Sequence, residues 1–245
     1  MNKIWIIARK DISEAFRSRS LYAFIFVMLI LTLTYVTSYN RGVKVFTSPQ
    51  AIDDFSRSFL NGLSYILPMT YSIFVCSIFA NYSVIVDKAK RNIESLMATP
   101  VSIQQIWMGK SLAVALPSLV LGLAISILVY LVMNFAFVIP KTHTFIFPDA
   151  MALVSAIIII PVLVFAIVTI VIHIQLVISN PRIGNFVFTG IFVLLILSID
   201  TAPALGITFN YFPLIYLGAA AVCGLVSLFL SRYLTKEKVL LSSKA

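Results

Sequence analysis

Apolar residues in this chain run in long blocks, separated by short stretches where charges and prolines collect. A helix needs about 20 apolar residues to cross roughly 30 Å of hydrocarbon. Six blocks meet that length: 21–39, 63–86, 112–138, 150–178, 186–205 and 212–230. Asp200 and Pro203 interrupt the fifth. The pattern predicts one all-α integral membrane domain over 1–245 with six transmembrane helices. The first 20 residues do not read as a cleaved signal peptide, because no short apolar core precedes a small-residue cleavage site.

Between the blocks, the periodicity changes. In 1–20, Ile4, Trp5, Ala8, Ile12, Ala15 and Phe16 recur at helical spacing on one face, and Arg9, Lys10, Ser13, Glu14 and Arg17 fall on the other. Such a helix lies in the membrane interface, with Trp5 and Phe16 at the acyl boundary and Arg17 and Arg19 at the turn into the first span. Segment 87–110 opens with Asp87, Lys88, Lys90, Arg91 and Glu94. A central Asp, Lys or Arg costs about 2.5–3.5 kcal/mol in a spanning helix, so this segment lies outside the lipid. Pro100 divides it, Thr99 is biased toward extended backbone, and Ser102 is placed to cap the next helix. On the other side, Ser48-Pro49 reads as a helix start. Ile52, Phe55 and Phe59 then predict a short amphipathic helix on the outer surface. Pro203, Gly206 and Pro213 make 200–213 a candidate re-entrant connection.

Charge orients the blocks. Segments 1–20, 87–110, 179–184 and 232–245 together hold 14 Lys and Arg, while 40–62, 139–149 and 200–211 hold 4. The positive-inside rule places both termini in the cytoplasm, with 232–245 as a cytoplasmic tail, in a cell membrane. Only 11% of residues are charged and 60% are apolar, against roughly a quarter charged in soluble domains. The net charge of +9 therefore sets topology and does not point to nucleic acid.

Candidate chemistry is sparse. Gly109-Lys110-Ser111 resembles the end of a phosphate-binding loop, but the position of its first glycine is Gln104 and no strand precedes it, so the chain does not hold ATP in that way. His143 and His173 fall on opposite sides, and no cluster has metal-ligand spacing. Cys76 and Cys223 lie inside apolar runs and read as packing residues. Asn81-Tyr82-Ser83 matches a glycosylation acceptor but sits at a cytoplasmic helix end. His173 reads as a pathway group or as an interfacial histidine bonded to a neighbouring helix, and Asp200 as a substrate contact or a cap. Tyr71, Ser72, Ser77 and Asn81 are further path candidates. No hydroxyl is paired with a histidine and an acid, so no catalytic residue is assigned.

Segment 87–110 carries a family resemblance. Asp87, then Glu94-Ser95-Leu96-Met97, then Ala98-Thr99-Pro100-Val101-Ser102 and finally Gly109-Lys110 resemble the loop between spans two and three in permeases of the type-2 ABC transporter family. Ala8-Arg9-Lys10-Asp11 with Arg17-Ser18-Arg19 resembles that family's elbow helix. Where the family often has Gly-Thr before the second acid, this chain has Asn92-Ile93. The resemblance implies a permease subunit of an ATP-driven exporter, working as a dimer with a second copy or a close relative. Two separate cytosolic ATPase subunits would carry ATP and Mg, so the chain itself is not an enzyme and binds no cofactor. Residues 87–110 would be the coupling element, with Asp87, Lys88, Arg91, Glu94, Leu96, Met97, Thr99, Pro100, Gly109 and Lys110 docking the ATPase. Trp5, Arg9, Lys10, Phe16, Arg17 and Arg19 would belong to the elbow. Relatives move drugs, glycans, peptides and ions, so the resemblance does not choose a substrate. The competing reading is an ion-coupled carrier or channel working without ATP. It favours ionisable residues at mid-membrane, and the apolar blocks hold almost none.

Overall fold

The computed structural model describes residues 3–17, 20–180, 183, 186–191, 193–194 and 211–244, of which 20–25, 243 and 244 are described by backbone alone. All regular structure among these residues is helical. The helices are α1 (Lys3–Phe16), α2 (Ser20–Val43), α3 (Pro49–Ala80), α4 (Asp87–Ala89), α5 (Asn92–Met97), α6 (Ile103–Met133), α7 (Ile139–Thr142), α8 (Ala150–Val154), α9 (Ile160–Val177), α10 (Phe212–Arg232) and α11 (Lys236–Lys244). Several run together into longer rods. Pro49–Ala89, Ile103–Thr142, Ala150–Val177 and Phe212–Arg232 are long and apolar enough to cross a membrane. The predicted span 21–39 coincides with α2. The predicted span 186–205 lies largely outside the described residues, as do Asp200, Arg19 and the 200–210 connection.

The third helix is the hub. α2 and α6 pack on α3, α9 packs on both α3 and α6, and α10 packs on α9. Most of the apolar stretch of α3 is therefore inside the protein, whereas α10 keeps Leu217, Val222, Leu225 and Leu228 outside. α3 and α6 cross closely at Gly122 of α6. A Cβ there would stand 2.8 Å from the Ser72 backbone nitrogen and 2.3 Å from its hydroxyl, so only glycine lets the two helices meet. Polar ties finish the bundle. Trp107 Nε1 donates to the Thr169 carbonyl at 2.9 Å, and Ser227 Oγ donates to Thr169 Oγ1 at 2.8 Å.

Three π-helical stretches join α-helices within the rods: Asn81–Val86, Asn134–Val138 and Ser155–Ile159. The second and third each run up to a proline, Pro140 and Pro161, at the start of the next helix. Proline has no N–H for the carbonyl four residues back and its ring crowds that carbonyl, so the turn before it widens. The first has no proline. There the Ser83 carbonyl is taken by a side chain, as described below.

The start predicted at Ser48-Pro49 is present: Ser48 accepts from the Ala51 N–H at 3.2 Å. The short surface helix expected after it is not separate. Ile52, Phe55 and Phe59 belong to the first turns of α3, which runs unbroken to Ala80. Asn61-Gly62 stands between 59 and 63, yet the helix runs through it with Gly62 buried, and packing against Tyr39 (centroids 6.0 Å from Phe55 and 5.4 Å from Phe59) favours continuation.

Candidate functional site

One end of the bundle collects α1, the 87–101 loop, the start of α6 and α11. Its centre is Lys110. This lysine lies one helical turn beyond Trp107 and is fully buried. An ammonium has three protons to donate. Here Nζ donates to Asp11 Oδ2 at 3.0 Å, to Asp87 Oδ2 at 2.7 Å and to the Ser83 carbonyl. Both acids are buried too, and each has one more donor. Ser83 Oγ donates to Asp11 Oδ2 at 2.7 Å, and Asn92 Nδ2 donates to Asp87 Oδ1 at 3.0 Å. The cluster thus joins α1, the π stretch, α4, α5 and α6 through one positive and two negative charges. Buried charges are tolerable only when paired and hydrogen-bonded in this way.

Local sequence brings these groups together. Gly109 precedes Lys110, and a Cβ on it would stand 3.1 Å from the Ile4 carbonyl and from Ile7 Cβ. The bare glycine lets α1 lie close across α6, which carries Asp11 to Lys110. The face that α1 turns inward is Ile7, Ala8, Asp11 and Ala15. Of the expected apolar face, Ala8 and Ala15 turn inward. Trp5 and Phe16 are half exposed on its flank, with Phe16 edge-on to Phe79 at 5.4 Å. Arg9, Lys10 and Arg17 are exposed as expected.

The loop itself is a clamped strap. Arg91 adopts φ 57° and ψ 18° between α4 and α5, a left-handed turn that a non-glycine residue takes up only at some strain. α5 follows, burying Ile93 and Met97 and leaving Ser95 exposed. Ser102 then starts α6 with a capping box: its hydroxyl accepts from Gln105 N–H at 3.2 Å, and Gln105 Oε1 accepts from Ser102 N–H at 3.1 Å. Three lysines hold the strap to its surroundings. Lys3 Nζ donates to the Pro100 carbonyl at 3.0 Å and Lys236 Nζ to the Met97 carbonyl at 3.3 Å. Lys88 Nζ donates to the Ile178 carbonyl at 2.8 Å and to Ser242 Oγ at 2.9 Å.

The predicted docking set is therefore divided. Arg91, Thr99 and Pro100 are exposed, and Glu94 and Leu96 are half buried. Asp87, Lys88, Met97, Gly109 and Lys110 face inward, where neighbouring helices use up the polar groups of Asp87, Lys88 and Lys110. The 232–245 tail is likewise no free tail, since α11 buries Val239 and Ser242 against α5 and α9.

Among the described residues the path candidates lie on α3, the first π stretch and α9. Tyr71 OH lies 3.4 Å from Thr32 Oγ1, and Ser72 sits at the Gly122 crossing. Ser77 Oγ and Asn81 Nδ2 bond to carbonyls of their own helix. His173 is buried near the end of α9, and its Nδ1 has no hydrogen-bond partner. No group of three metal-ligating side chains occurs among the described residues.

Asp11, Ser83 and Asn92 complete the site without having been assigned a role from the sequence. Asp11 had a signal: it falls on the stripe of Ile7, Ala8 and Ala15, and an acid there implies a buried cation. Ser83 and Asn92 had none, because hydroxyls and amides are common at helix ends. No family model, curated protein or solved structure matches the chain.

Proposed function

We propose that the chain is the membrane-spanning permease subunit of an ATP-driven exporter of the type-2 ABC transporter kind. It works as a dimer on two separate ATPase subunits. In this reading α2 and residues 186–205 supply the two spans beyond the four long apolar helices. The basic end faces the cytoplasm, α1 is the elbow, and α5 is the coupling helix. Arg91, Glu94, Thr99 and Pro100 meet the ATPase. Trp5 and Phe16 contact the lipid interface.

The observation that supports it most is the Lys110 cluster. A helix of six residues between two rods transmits a push only if its foot is rigid. Here Asp87 and Asn92 at that foot are bonded, through Lys110, to α1 and α6. Displacing α5 therefore loads both long helices at once.

The test is co-purification from native membranes in mild detergent. A stoichiometric ATPase subunit is expected, and Glu94→Arg is expected to abolish transport while the protein still inserts and folds. Full transport by that variant counts against coupling through α5. Transport in liposomes by the chain alone, without ATP, would overturn the reading in favour of a carrier or channel.

A further inference from the structure

We infer that the outward file Arg9, Ser13 and Arg17 of α1 binds the phosphodiester headgroup of an anionic membrane lipid. Residues four apart on a helix are neighbours on its surface, so Trp5, Arg9 and Ser13 stand in one line. Arg17 extends it in the turn that closes α1, where its N–H meets the Glu14 carbonyl at 3.2 Å. All of these side chains are exposed.

The order of residues around α1 sets that file at a boundary. Each residue turns the helix by roughly 100°. Moving round from the buried line of Ala8, Asp11 and Ala15, the next positions are Trp5 and Phe16, both half exposed. Arg9, Ser13 and Arg17 follow, and Lys10 lies beyond them. Phe16 meets Phe79 edge-on at 5.4 Å, and Phe79 belongs to the rod Pro49–Ala89, long and apolar enough to cross a membrane. The aromatic flank thus adjoins a spanning rod. The basic file stands one step outside it, where lipid phosphates lie. Ile6, exposed beside Arg9, gives an acyl chain a further contact.

Charge selects the headgroup. Asp11 is held by Lys110 at 3.0 Å. Glu14 faces Lys10 at 3.8 Å, and Lys3 donates to the Pro100 carbonyl at 3.0 Å. Among the described residues Arg9 and Arg17 have no ion pair, and Ser13 Oγ has no hydrogen bond. Two uncompensated guanidinium groups therefore flank a free hydroxyl, one turn to either side. Guanidinium forks match phosphate oxygens in pairs, and the hydroxyl adds a donor. A zwitterionic lipid brings its own cation, which two arginines repel. A lipid of net negative charge does not. The C-terminal dipole of α1 opposes an anion by about half a charge, which two full positive charges outweigh. An acidic protein surface would answer the charges but not the aromatic flank beside the rod. The inference rests on α1 lying in the membrane interface, as in the proposed function, and not on ATP coupling.

The experiment reconstitutes the full chain in vesicles of phosphatidylcholine and phosphatidylglycerol and reads Trp5 fluorescence. One lipid or the other carries bromine in its acyl chains as a quencher. Trp107 is buried, and its contribution is taken from Trp5→Phe. Brominated phosphatidylcholine reports whether α1 meets lipid at all. Phosphatidylglycerol is expected to be enriched around Trp5 by about fivefold, the weight of one basic residue at an anionic surface. Arg9→Gln with Arg17→Gln is expected to bring the two lipids to parity. Arg232→Gln with Lys238→Gln removes the same charge from other exposed positions and is expected to keep the preference. Equal quenching by both lipids, a preference unchanged by the first pair, or one lost equally in both pairs, would overturn the headgroup site while leaving α1 in the interface. Quenching by neither lipid would overturn the interfacial placement and the site with it, leaving the file to an acidic protein surface.

Discussion

Lys110 has no access to water and spends all three of its protons within the protein. Lys110→Met leaves Asp11 and Asp87 facing each other without a cation. Breaking a buried pair from one side costs about 3–5 kcal/mol, so Lys110→Met is expected to lower the detergent-solubilised unfolding midpoint sharply. Adding Asp11→Asn and Asp87→Asn to it removes the stranded charges and is expected to recover much of that loss. A triple variant no more stable than Lys110→Met would show that the charges are not the main term. In the sequence, Lys110 reads as a boundary lysine at the start of a span. Its burial is invisible there because it depends on Gly109 letting α1 approach, a contact between residues about a hundred positions apart.

Helices and caps were far more legible than contacts between them. The capping box at Ser102 follows from a serine after a proline and three residues before a glutamine, all local. Ser102→Ala is expected to cost about 1 kcal/mol and to fray the first turn of α6, seen as faster amide exchange at 103–106. The periodicity of α1 was also legible, but its inward face was not. Trp5 and Phe16 weigh heavily in any hydrophobic stripe, whereas Asp11, the residue that fixes the rotation, argues against it until its partner is known. The continuation of α3 through 49–62 was misread because an amphipathic stretch beside an apolar one looks like two elements. It is one helix whose outer end packs on Tyr39. At the α3–α6 crossing, Gly122→Ala forces a methyl against the Ser72 backbone. Overpacking of this kind costs about 1–3 kcal/mol, measurable as a lower thermal midpoint at unchanged helicity.

Across the whole molecule, the blocks of apolar sequence foretold the long rods, and the basic segments foretold one end. What they did not foretell is that this end is folded. α11 reaches back over α5 and α9, and Lys88 of α4 ties the end of α9 to α11 through Ile178 and Ser242. Deleting 236–245 is expected to leave the rods intact while exposing 89–100 to protease, with cleavage there appearing well before any elsewhere. Equal resistance of the truncated chain would show that α1 holds the strap unaided. The tail was unreadable for a physical reason: a short lysine-rich helix has little apolar surface of its own, and Leu234, Val239 and Leu240 are what it lays on the core.

The order of synthesis gives the Lys110 cluster one more consequence. Asp11 leaves the ribosome first, Asp87 follows, and Lys110 arrives last. Until the rod Ile103–Thr142 is in place, α1 presents a bare carboxylate on the face it must later bury. It cannot settle against the bundle early without stranding that charge. The N-terminal helix is thus held in waiting by its own chemistry, and its docking reports that the rods carrying Asp87 and Lys110 have come together.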